Sequence, residues 1–422
     1  ISDTVETSIK HYLPEGPKVY LYFKSIKDLT VELAYNAEKA PNGYKKSDSH
    51  IFFQTGSKKS DRVVPVFAVY GANCFGKSTV LLAMSVLNKF AKGWGPLILF
   101  KPNKLSSLIK VDDRTTFALE FYCNKKLYAI TLTYNANSIL HEELKVDDEV
   151  LYCVDYSKIT CLNESLSKFA DDFSEILKEN CVIAMNNRQV NMFLPIIRKY
   201  YPGISKDLVA VHNYLQNDII ILSEDHSLDD PLSYIECFNL LSKTYKGERA
   251  NTAKKQALSD LVLTLNGLDF DIANLSITSS GIKTTHKSSE GKEVEFDFKD
   301  ESEGTRSLIQ KLMLIMYALR AGKTIMIDDL DKSLHPLVAC ELVRMFKSKR
   351  LNPNNSQLFC NLYNTEPLSE VLSSSEIGVL SYSKKEGTVL TRVSQIKELK
   401  SSDDLRHRYV RGDFGGIPFP YI

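Results

Sequence analysis

The sequence GANCFGKST, at residues 71–79, is the feature that most constrains the fold of this 422-residue chain. It matches the phosphate-binding pattern G-x-x-x-x-G-K-[ST] at every fixed position. The apolar, β-branched run VVPVFAVY at 63–70 precedes it, and residues 78–90 follow it with helical periodicity. A strand, a glycine-containing turn and a helix direct successive backbone N–H groups and a helix N-terminus at one anion. The sequence therefore predicts a core built around a nucleoside triphosphate.

A second chemical signal lies in the sequence KTIMIDDLDKSLHP at 323–336. Its short apolar run predicts a buried strand that ends at Asp328 and Asp329. A phosphate loop requires such a partner, because Mg²⁺ and the attacking water need carboxylates near the γ-phosphate. The motif itself assigns Lys77 to the β- and γ-phosphates and the Ser78 hydroxyl to Mg²⁺.

The order of the predicted elements divides the chain into a leader, two halves of a core and an insertion. Residues 1–18 form a polar, turn-rich leader, and 19–160 hold the phosphate loop and alternating strands that predict an antiparallel sheet. Residues 161–266 have the pattern of several helices and predict a helical insertion. Residues 267–422 return to core strands and helices. We predict an α/β fold of mixed α+β character.

The composition limits the class of protein further. Lysine and arginine total 53 against 52 aspartates and glutamates, a formal net charge of +1, so global charge gives no support to nucleic-acid binding. Eight cysteines without a C-x-x-C pair or zinc-type Cys/His spacing predict reduced thiols in a cytoplasmic protein. No apolar run approaches the roughly 18 residues that span a bilayer, so we expect no membrane contact.

The order of motifs resembles that of ATP-binding-cassette heads of the SMC and RecF kind. In more detail, it is similar to the ABC-type ATPases of the AAA group found in bacterial abortive-infection and other anti-phage systems. The matching segments are GANCFGKST (71–79), FALEFYCNKKLYAITL (117–132), ESEGTRSLI (301–309), IDDLDKSLHP (327–336), SQLF (356–359) and RYVRGDFGGIPF (408–419). The phosphate loop alone fits many kinds of protein, whereas its combination with the later segments is much more specific.

The resemblance implies an ATPase that encloses ATP and Mg²⁺ between two protomers. It assigns phosphate and Mg²⁺ binding to Gly71, Asn73, Gly76, Lys77, Ser78, Thr79 and Asp328. It assigns contact with the γ-phosphate held by the other protomer to Ser302, Gly304 and Thr305. A helix N-terminus with a hydroxyl and a glycine can bind an anion, which is the physical basis of that contact. The alternative for this segment is an ordinary helix start with Ser302 or Thr305 as N-cap.

Two positions depart from the pattern of these heads. The acidic strand ends in Asp328 and Asp329, where the family has Asp-Glu and the glutamate aligns the water. The shorter side chain would displace the base by about 1 Å, which can lower the rate roughly 10²-fold. Tyr363 occupies the position where the family has a histidine. Because a phenol has a pKa of about 10, it is neutral near pH 7 and offers no positive charge to the γ-phosphate. The sequence predicts an ATPase with Asp329 and Lys77 as catalytic residues and slow turnover.

The biological role stays open at this stage. The resemblance implies a homodimer or higher homo-oligomer that serves as sensor or scaffold for a separate effector, a nuclease or toxin, in anti-phage defence. The alternative is a RecF- or SMC-like ATPase of DNA repair or processing, which predicts DNA binding with a steep salt dependence. A third interpretation is a nucleotide-bound structural subunit that never hydrolyses ATP.

Two charged clusters have simpler interpretations. The basic residues between Arg344 and Arg350 could meet DNA, but favourable interaction with a helix C-terminus explains them without a partner. Glu142 and Glu143 follow His141 and could mimic a metal site, but we predict a solvated strand end.

Overall fold

Two large sheets organise the chain, and the computed structural model places the phosphate-loop strand inside one of them. The structure describes residues 18–23, 26–35, 48–93, 114–135, 138–187, 192–222, 231–278, 281–383, 387–397, 399–400 and 403–418. The predicted leader, residues 1–18, lies outside these residues except for Lys18. Within them the protein has the α/β fold of mixed character that the sequence predicts.

The described strands are β1 Lys18–Phe23, β2 Ile26–Glu32, β3 Phe53–Gln54, β4 Arg62–Val63, β5 Val66–Gly71, β6 Thr115–Cys123, β7 Lys126–Tyr134, β8 Ile139–Val146, β9 Glu149–Asp155, β10 Lys158–Leu162, β11 Ile219–Leu222, β12 Asn274–Thr278, β13 Gly281–Lys287, β14 Glu293–Asp297, β15 Thr324–Ile327, β16 Gln357–Asn361, β17 Ile377–Ser383 and β18 Gly387–Arg392. The described α-helices are α1 Lys77–Ala91, α2 Glu164–Ser167, α3 Ala170–Asn187, α4 Phe193–Tyr200, α5 Lys206–Asn213, α6 Pro231–Ser242, α7 Ala250–Gly267, α8 Glu303–Ala321, α9 Pro336–Lys347, α10 Glu366–Glu370 and α11 Leu405–Val410. None of these helices is long and apolar enough to cross a membrane.

The core sheet has six strands in the order β11-β15-β16-β5-β17-β18. All neighbours are parallel except β18, which pairs antiparallel with β17. The strand β5 is buried at every position, as its apolar sequence predicts for a strand covered on both faces. Because parallel strands end at the same edge, the segments that follow β5, β15 and β16 converge there.

The two faces of the core sheet pack on different parts of the chain. Phe67 and Val69 of β5 join a core with α1 and the second sheet. Val66, Ala68 and Tyr70 point to the other face and pack with α8 and α9. The phosphate-loop strand is therefore held from both sides, which fixes the position of the turn that follows it.

The second sheet is antiparallel and has seven strands in the order β10-β9-β8-β7-β6-β1-β2. The predicted hairpin at the CNKK turn is confirmed, with Asn124 and Lys125 at φ 51° and 66° between β6 and β7. Positive φ at both turn residues is typical of a tight hairpin. The buried face of the sheet meets α1, where the rings of Phe90 and Tyr134 lie 5.1 Å apart.

The segment 161–266 is mostly helical, but it also supplies β11 to the core sheet. The helical pattern of 161–266 predicts helix throughout this part of the segment, and that prediction is wrong at Ile219–Leu222. A π-helical turn, Tyr214–Asp218, leads into β11, which pairs in parallel with β15. The run of three isoleucines suits a strand, and pairing with a distant strand selected that conformation over helical periodicity. The domain boundaries at 161 and 266 stay a prediction.

Glu142 is not the solvated strand end that the sequence predicts. Its side chain is 1% exposed and accepts hydrogen bonds from the Tyr152 hydroxyl and from the backbone N–H groups of Phe193 and Leu194, at 2.7, 2.6 and 3.0 Å. Burial raises the pKa of the Glu142 carboxyl, and these donors oppose that shift. The carboxylate thus caps the N-terminus of α4 from a neighbouring strand, a contact between residues 51 positions apart that local sequence cannot reveal.

Candidate functional site

The phosphate loop has the strand, turn and helix geometry that the motif predicts. Gly71 ends β5 at φ 151°, and a Cβ atom there would lie 2.8 Å from the carbonyl oxygen of Leu380. Gly76 has φ 100° at the N-cap of α1. Asn73 is exposed, and Cys74 also has a left-handed φ of 66°. Glycine is required at the two ends of the turn, where a side chain would clash or strain the backbone.

Lys77 is buried at the start of α1, with 4% of its surface exposed. Its ammonium donates hydrogen bonds to the carbonyl oxygens of Gly71 and Ala72, at 2.7 and 3.3 Å. The same Nζ atom lies 4.1 Å from the centre of the Tyr363 ring, a cation–π distance. Burial lowers the pKa of Lys77, whereas the nearby carboxylate of Asp329 opposes that shift. The lysine therefore faces the acidic residues across the loop.

Ser78 and Asp328 meet between α1 and the end of β15. The Ser78 hydroxyl donates to Oδ1 of Asp328 at 3.1 Å. The Asn361 side-chain amide donates to the same carboxylate oxygen, and the Asp328 backbone N–H donates to the carbonyl of Leu222 at 2.9 Å. A hydroxyl and a carboxylate oxygen at this separation are the two protein ligands that Mg²⁺ takes beside a phosphate loop.

Asn361 is a site residue that the sequence analysis missed. It is the last residue of β16, and β16 lies between β5 and β15. Its position in the sheet was predictable from the strand pattern, since the carboxyl ends of neighbouring parallel strands share an edge. Its contact with Asp328 depends on strand order, which the sequence did not supply.

Lys311 is the second missed residue. It lies in the middle of α8 with 5% of its surface exposed, where a helical pattern predicts an apolar side chain. Its ammonium donates to the carbonyl oxygens of Asp329, Leu330 and Lys332, at 3.1, 3.0 and 3.4 Å. Burial lowers its pKa to about 8, against the opposing effect of nearby carboxylates. A single side chain thus ties α8 to the turn that carries Asp329.

Tyr363 follows β16, and its loop is tied to the same acidic turn. Oδ2 of Asp331 accepts hydrogen bonds from the backbone N–H groups of Tyr363 and Asn364, at 2.9 and 2.5 Å. The Tyr363 side chain is 50% exposed and covers Lys77 with its ring. The structure therefore places this tyrosine beside the phosphate loop, where the resemblance implies the residue that replaces histidine.

The ESEGT segment opens α8 at the surface. The Ser302 hydroxyl accepts from the Thr305 backbone N–H at 3.0 Å and is the N-cap of the helix. Ser302 and Glu303 are exposed, whereas a Cβ atom on Gly304 would lie 2.6 Å from the carbonyl oxygen of Ser333. The glycine is thus needed for close packing on the turn that follows the acidic strand. The N-cap interpretation describes the contacts within one chain, where the Ser302 hydroxyl also hydrogen-bonds to the hydroxyl of the buried Thr305 at 2.8 Å. The exposed start of the helix can still present backbone N–H groups to an anion.

His335 and the basic cluster at the end of α9 make contacts within the chain. His335 is the N-cap of α9, with Nδ1 accepting from the Leu337 backbone N–H at 3.3 Å. In the basic cluster at the end of α9, Lys347 is buried and bonds to Glu376 at 2.6 Å. Arg344 pairs with Glu341 and Glu370. Two of the four charges in the cluster are therefore neutralised by carboxylates of the same chain, whereas Lys349 and Arg350 are exposed.

Comparison with known proteins gives a family match and a similarity to a solved structure. Residues 191–361 match the family described as "AAA domain, putative AbiEii toxin, Type IV TA system". This match covers less than half of the chain; it includes α8 and the acidic strand but not the phosphate loop. Among solved structures, the chain is similar to the SMC head domain from Thermotoga maritima, with 12% identity and a TM-score of 0.38 over 89% of this chain and 97% of that chain. No curated protein matches the sequence. The family match and the site geometry together support a nucleotide-binding ATPase domain.

Proposed function

We propose that the chain binds Mg²⁺-ATP at the edge of the core sheet and associates with a second copy around the nucleotide, as an ABC-type ATPase with slow turnover. The observation that carries this proposal is the contact of Ser78 with Asp328 beside the buried Lys77. A hydroxyl, a carboxylate and an ammonium at the N-terminus of one helix form the set of groups that a triphosphate with its metal requires.

The residues of the chain would act in sequence as the nucleotide binds. The N–H groups of the phosphate loop and the N-terminus of α1 hold the phosphate oxygens. Lys77 exchanges its two carbonyl acceptors for phosphate oxygens, which are stronger, charged acceptors. Ser78 and Asp328 would hold Mg²⁺, which would supply positive charge beside the phosphates when bound. Asp329 accepts the proton of the attacking water, and Lys311 holds its backbone in place.

Slow turnover follows from two side chains. The carboxylate of Asp329 is one methylene shorter than glutamate, and a misplaced base lowers the rate steeply. Tyr363 offers a neutral ring to Lys77, so the loop after β16 contributes no positive charge. These features favour a protein in which bound ATP keeps the assembled state for a long time.

Self-association is supported by the surface around the start of α8. Ser302 and Glu303 are exposed there, and Leu337 on the adjoining α9 is 57% exposed. An exposed helix N-terminus attracts the γ-phosphate of a nucleotide on another copy, and an exposed leucine favours burial in an interface. Ser302, Gly304 and Thr305 are the residues that we propose for this contact.

The family description names a toxin and a type IV TA system, which supports a toxin–antitoxin role, and a role in anti-phage defence is our proposal from the sequence resemblance. We propose that the assembled protein is a sensor or scaffold for a separate effector, a nuclease or toxin. The alternative, a RecF- or SMC-like ATPase in DNA processing, requires DNA-stimulated hydrolysis that weakens steeply with salt. Measuring phosphate release with and without DNA at two salt concentrations distinguishes these roles.

The test of the site measures ATP binding and mass in solution on the same samples. The natural protein should bind ATP with Mg²⁺ and increase in mass. Lys77→Ala should bind ATP at least about 100-fold more weakly, since it loses a charged phosphate contact. Ser302→Arg should bind ATP normally yet stay at the mass of the free protein. Equal ATP-dependent association of both variants would contradict the proposal.

A further inference from the structure

His141, Cys153 and Asp155 lie together on β8 and β9 of the seven-stranded sheet, which supplies no residue to the nucleotide site. They offer an imidazole nitrogen, a thiol sulfur and a carboxylate oxygen, and these atoms lie within 4.8 Å of one another. His141 Nδ1 is 2.7 Å from Asp155 Oδ1 and 3.9 Å from Cys153 Sγ. Cys153 Sγ is 3.5 Å from Asp155 Oδ2. His141 and Asp155 are partly exposed, so a metal ion can reach the group from solvent.

These separations are near those of ligands around one tetrahedral metal ion. Zinc bonds of about 2.0–2.3 Å to nitrogen, oxygen and sulfur place the ligand atoms about 3.3–3.6 Å apart. The two distances that involve Cys153 already approach that range. The distance between His141 and Asp155 is that of a direct hydrogen bond, which opens slightly when an ion replaces the proton between them.

The sheet fixes the positions of these side chains. His141 is paired across the strands with Asp155, and Glu143 is paired with Cys153, so all project on the same face as neighbours. The Thr160 hydroxyl on β10 donates to Oδ2 of Asp155 at 2.8 Å. A hydrogen bond to a ligating carboxylate is the usual way in which a protein orients it toward a metal.

A fourth ligand is available on the edge strand. Cys161 of β10 is the cross-strand partner of Cys153, and it is an exposed free thiol. Directly opposed residues of an antiparallel pair have Cβ atoms about 4.5–5.5 Å apart, so rotation about χ1 brings the Cys161 sulfur toward the group. The set would then contain two sulfur atoms, one nitrogen and one oxygen on three adjacent strands.

We propose that His141, Cys153 and Asp155 bind Zn²⁺ and that Cys161 completes the tetrahedral site. Thiolate and imidazole ligands favour zinc over Mg²⁺ and Ca²⁺, which take oxygen ligands. Each thiol releases its proton to solvent as its sulfur binds the ion. The bound ion joins β8, β9 and the edge strand β10, so it stabilises the part of the sheet that leads into α2.

The experiment uses the full chain, reduced, freed of metal by a chelator and then titrated with Co²⁺ as a spectroscopic probe. Co²⁺ should give a thiolate charge-transfer band and the visible bands of tetrahedral coordination, and Zn²⁺ should displace it. The band should weaken in Cys153→Ser and disappear in the double variant Cys153→Ser/Cys161→Ser, and His141→Ala should bind Co²⁺ at least about tenfold more weakly. It should keep its intensity in Cys123→Ser, a control that removes a partly buried thiol from β6 of the same sheet.

Thermal unfolding of each metal-free variant shows whether the variant has folded. Zn²⁺ should raise the unfolding temperature of the natural protein but not that of variants that have lost the site. Cys161→Ser should keep a cobalt band but bind Zn²⁺ at least about tenfold more weakly. Unchanged zinc affinity in that variant would overturn the assignment of Cys161. Absence of a thiolate band in the natural protein, or its persistence in the folded double variant Cys153→Ser/Cys161→Ser, would overturn the metal site itself.

Discussion

Asp329 has a left-handed backbone, φ 49°, directly after β15. Aspartate and asparagine tolerate this conformation better than longer side chains, because their short polar groups can bond locally. The structure therefore offers a physical reason for aspartate at a position where the resemblance implies glutamate. The backbone is also held by Lys311, so the side chain alone sets how far the carboxylate reaches.

Asp329→Glu should raise ATP turnover about 10- to 100-fold, because the longer side chain brings the base nearer to the water. Phosphate release under saturating Mg²⁺-ATP measures this change. Asp329→Asn is the matched control, because asparagine tolerates the same backbone conformation but cannot act as a base. This variant should lose the residual ATP turnover and still bind ATP. If the natural protein hydrolyses ATP rapidly and Asp329→Glu lowers that rate, the assignment of Asp329 as a badly positioned base is wrong.

Glu142→Ala should lower the free energy of unfolding by about 3 kcal/mol, because it leaves buried donors at the start of α4 without their acceptor. Chemical denaturation measures the change. The neighbouring Glu143→Ala is the control, since Glu143 makes only a partly exposed ion pair with Lys145 and should change stability by at most about 1 kcal/mol. Equal effects of the two substitutions would contradict the capping role of Glu142.

At the scale of elements, α8 connects the exposed ESEGT turn to the acidic turn after β15. Ser302 begins the helix, and Lys311, a little over two turns later, bonds to three backbone carbonyls of that turn. Gly304 also packs on the carbonyl of Ser333. Contact of another molecule with the start of α8 would therefore act directly on the backbone that carries Asp329.

The buried ammonium of Lys311 predicts a specific pH dependence of stability. Its pKa is about 8 in the folded protein against 10.5 in the unfolded chain, so between these values the unfolded chain binds more protons. The free energy of unfolding of the natural protein, relative to Lys311→Met, should therefore rise with pH from about 8 to 10, by at most about 1.4 kcal/mol per unit. Denaturation curves at several pH values measure this difference.

Lys311→Arg is the control for that pH dependence, because arginine keeps its charge throughout the range. Its stability relative to Lys311→Met should stay level with pH. Lys311→Met should also lose ATP turnover while it binds ATP, since the acidic turn has lost its donor. If the free energies of unfolding of the natural protein and of Lys311→Met differ by the same amount from pH 7 to 10, the lysine does not titrate near pH 8.

At the scale of the whole molecule, the end of the described chain returns to the phosphate loop. The Tyr409 hydroxyl lies near the Gly71 backbone, and the Tyr409 ring packs on Tyr70 with 5.5 Å between the ring centres. A Cβ atom on Gly416 would lie 2.7 Å from the carbonyl oxygen of Leu380 and 3.6 Å from Cα of Gly71. Residues more than 300 positions apart in sequence thus support one nucleotide-binding turn.

Gly416→Ala should lower both the unfolding temperature and the affinity for ATP, because its methyl group would displace β17 from the start of the phosphate loop. Gly415→Ala is a matched control. Both glycines have φ near 71°, so both substitutions strain the backbone, but a Cβ atom at 415 would lie no closer than 4.0 Å to its nearest neighbour. Equal losses of ATP affinity in the two variants would show that backbone strain, and not this close approach, is responsible.

The sequence by itself determined the elements whose signals are local. The motif at 71–79, the hairpin at Asn124 and Lys125 and the apolar strand before Asp328 all depend on neighbouring residues, and the structure has each of them. Only the tertiary structure decided the contacts of Asn361, Lys311 and Glu142, since they join residues 33, 18 and 51 positions apart that belong to different elements. A polar side chain within a strand or helix carries no local signal of its partner, because burial and strand order, which set that partner, arise only when the sheets pack.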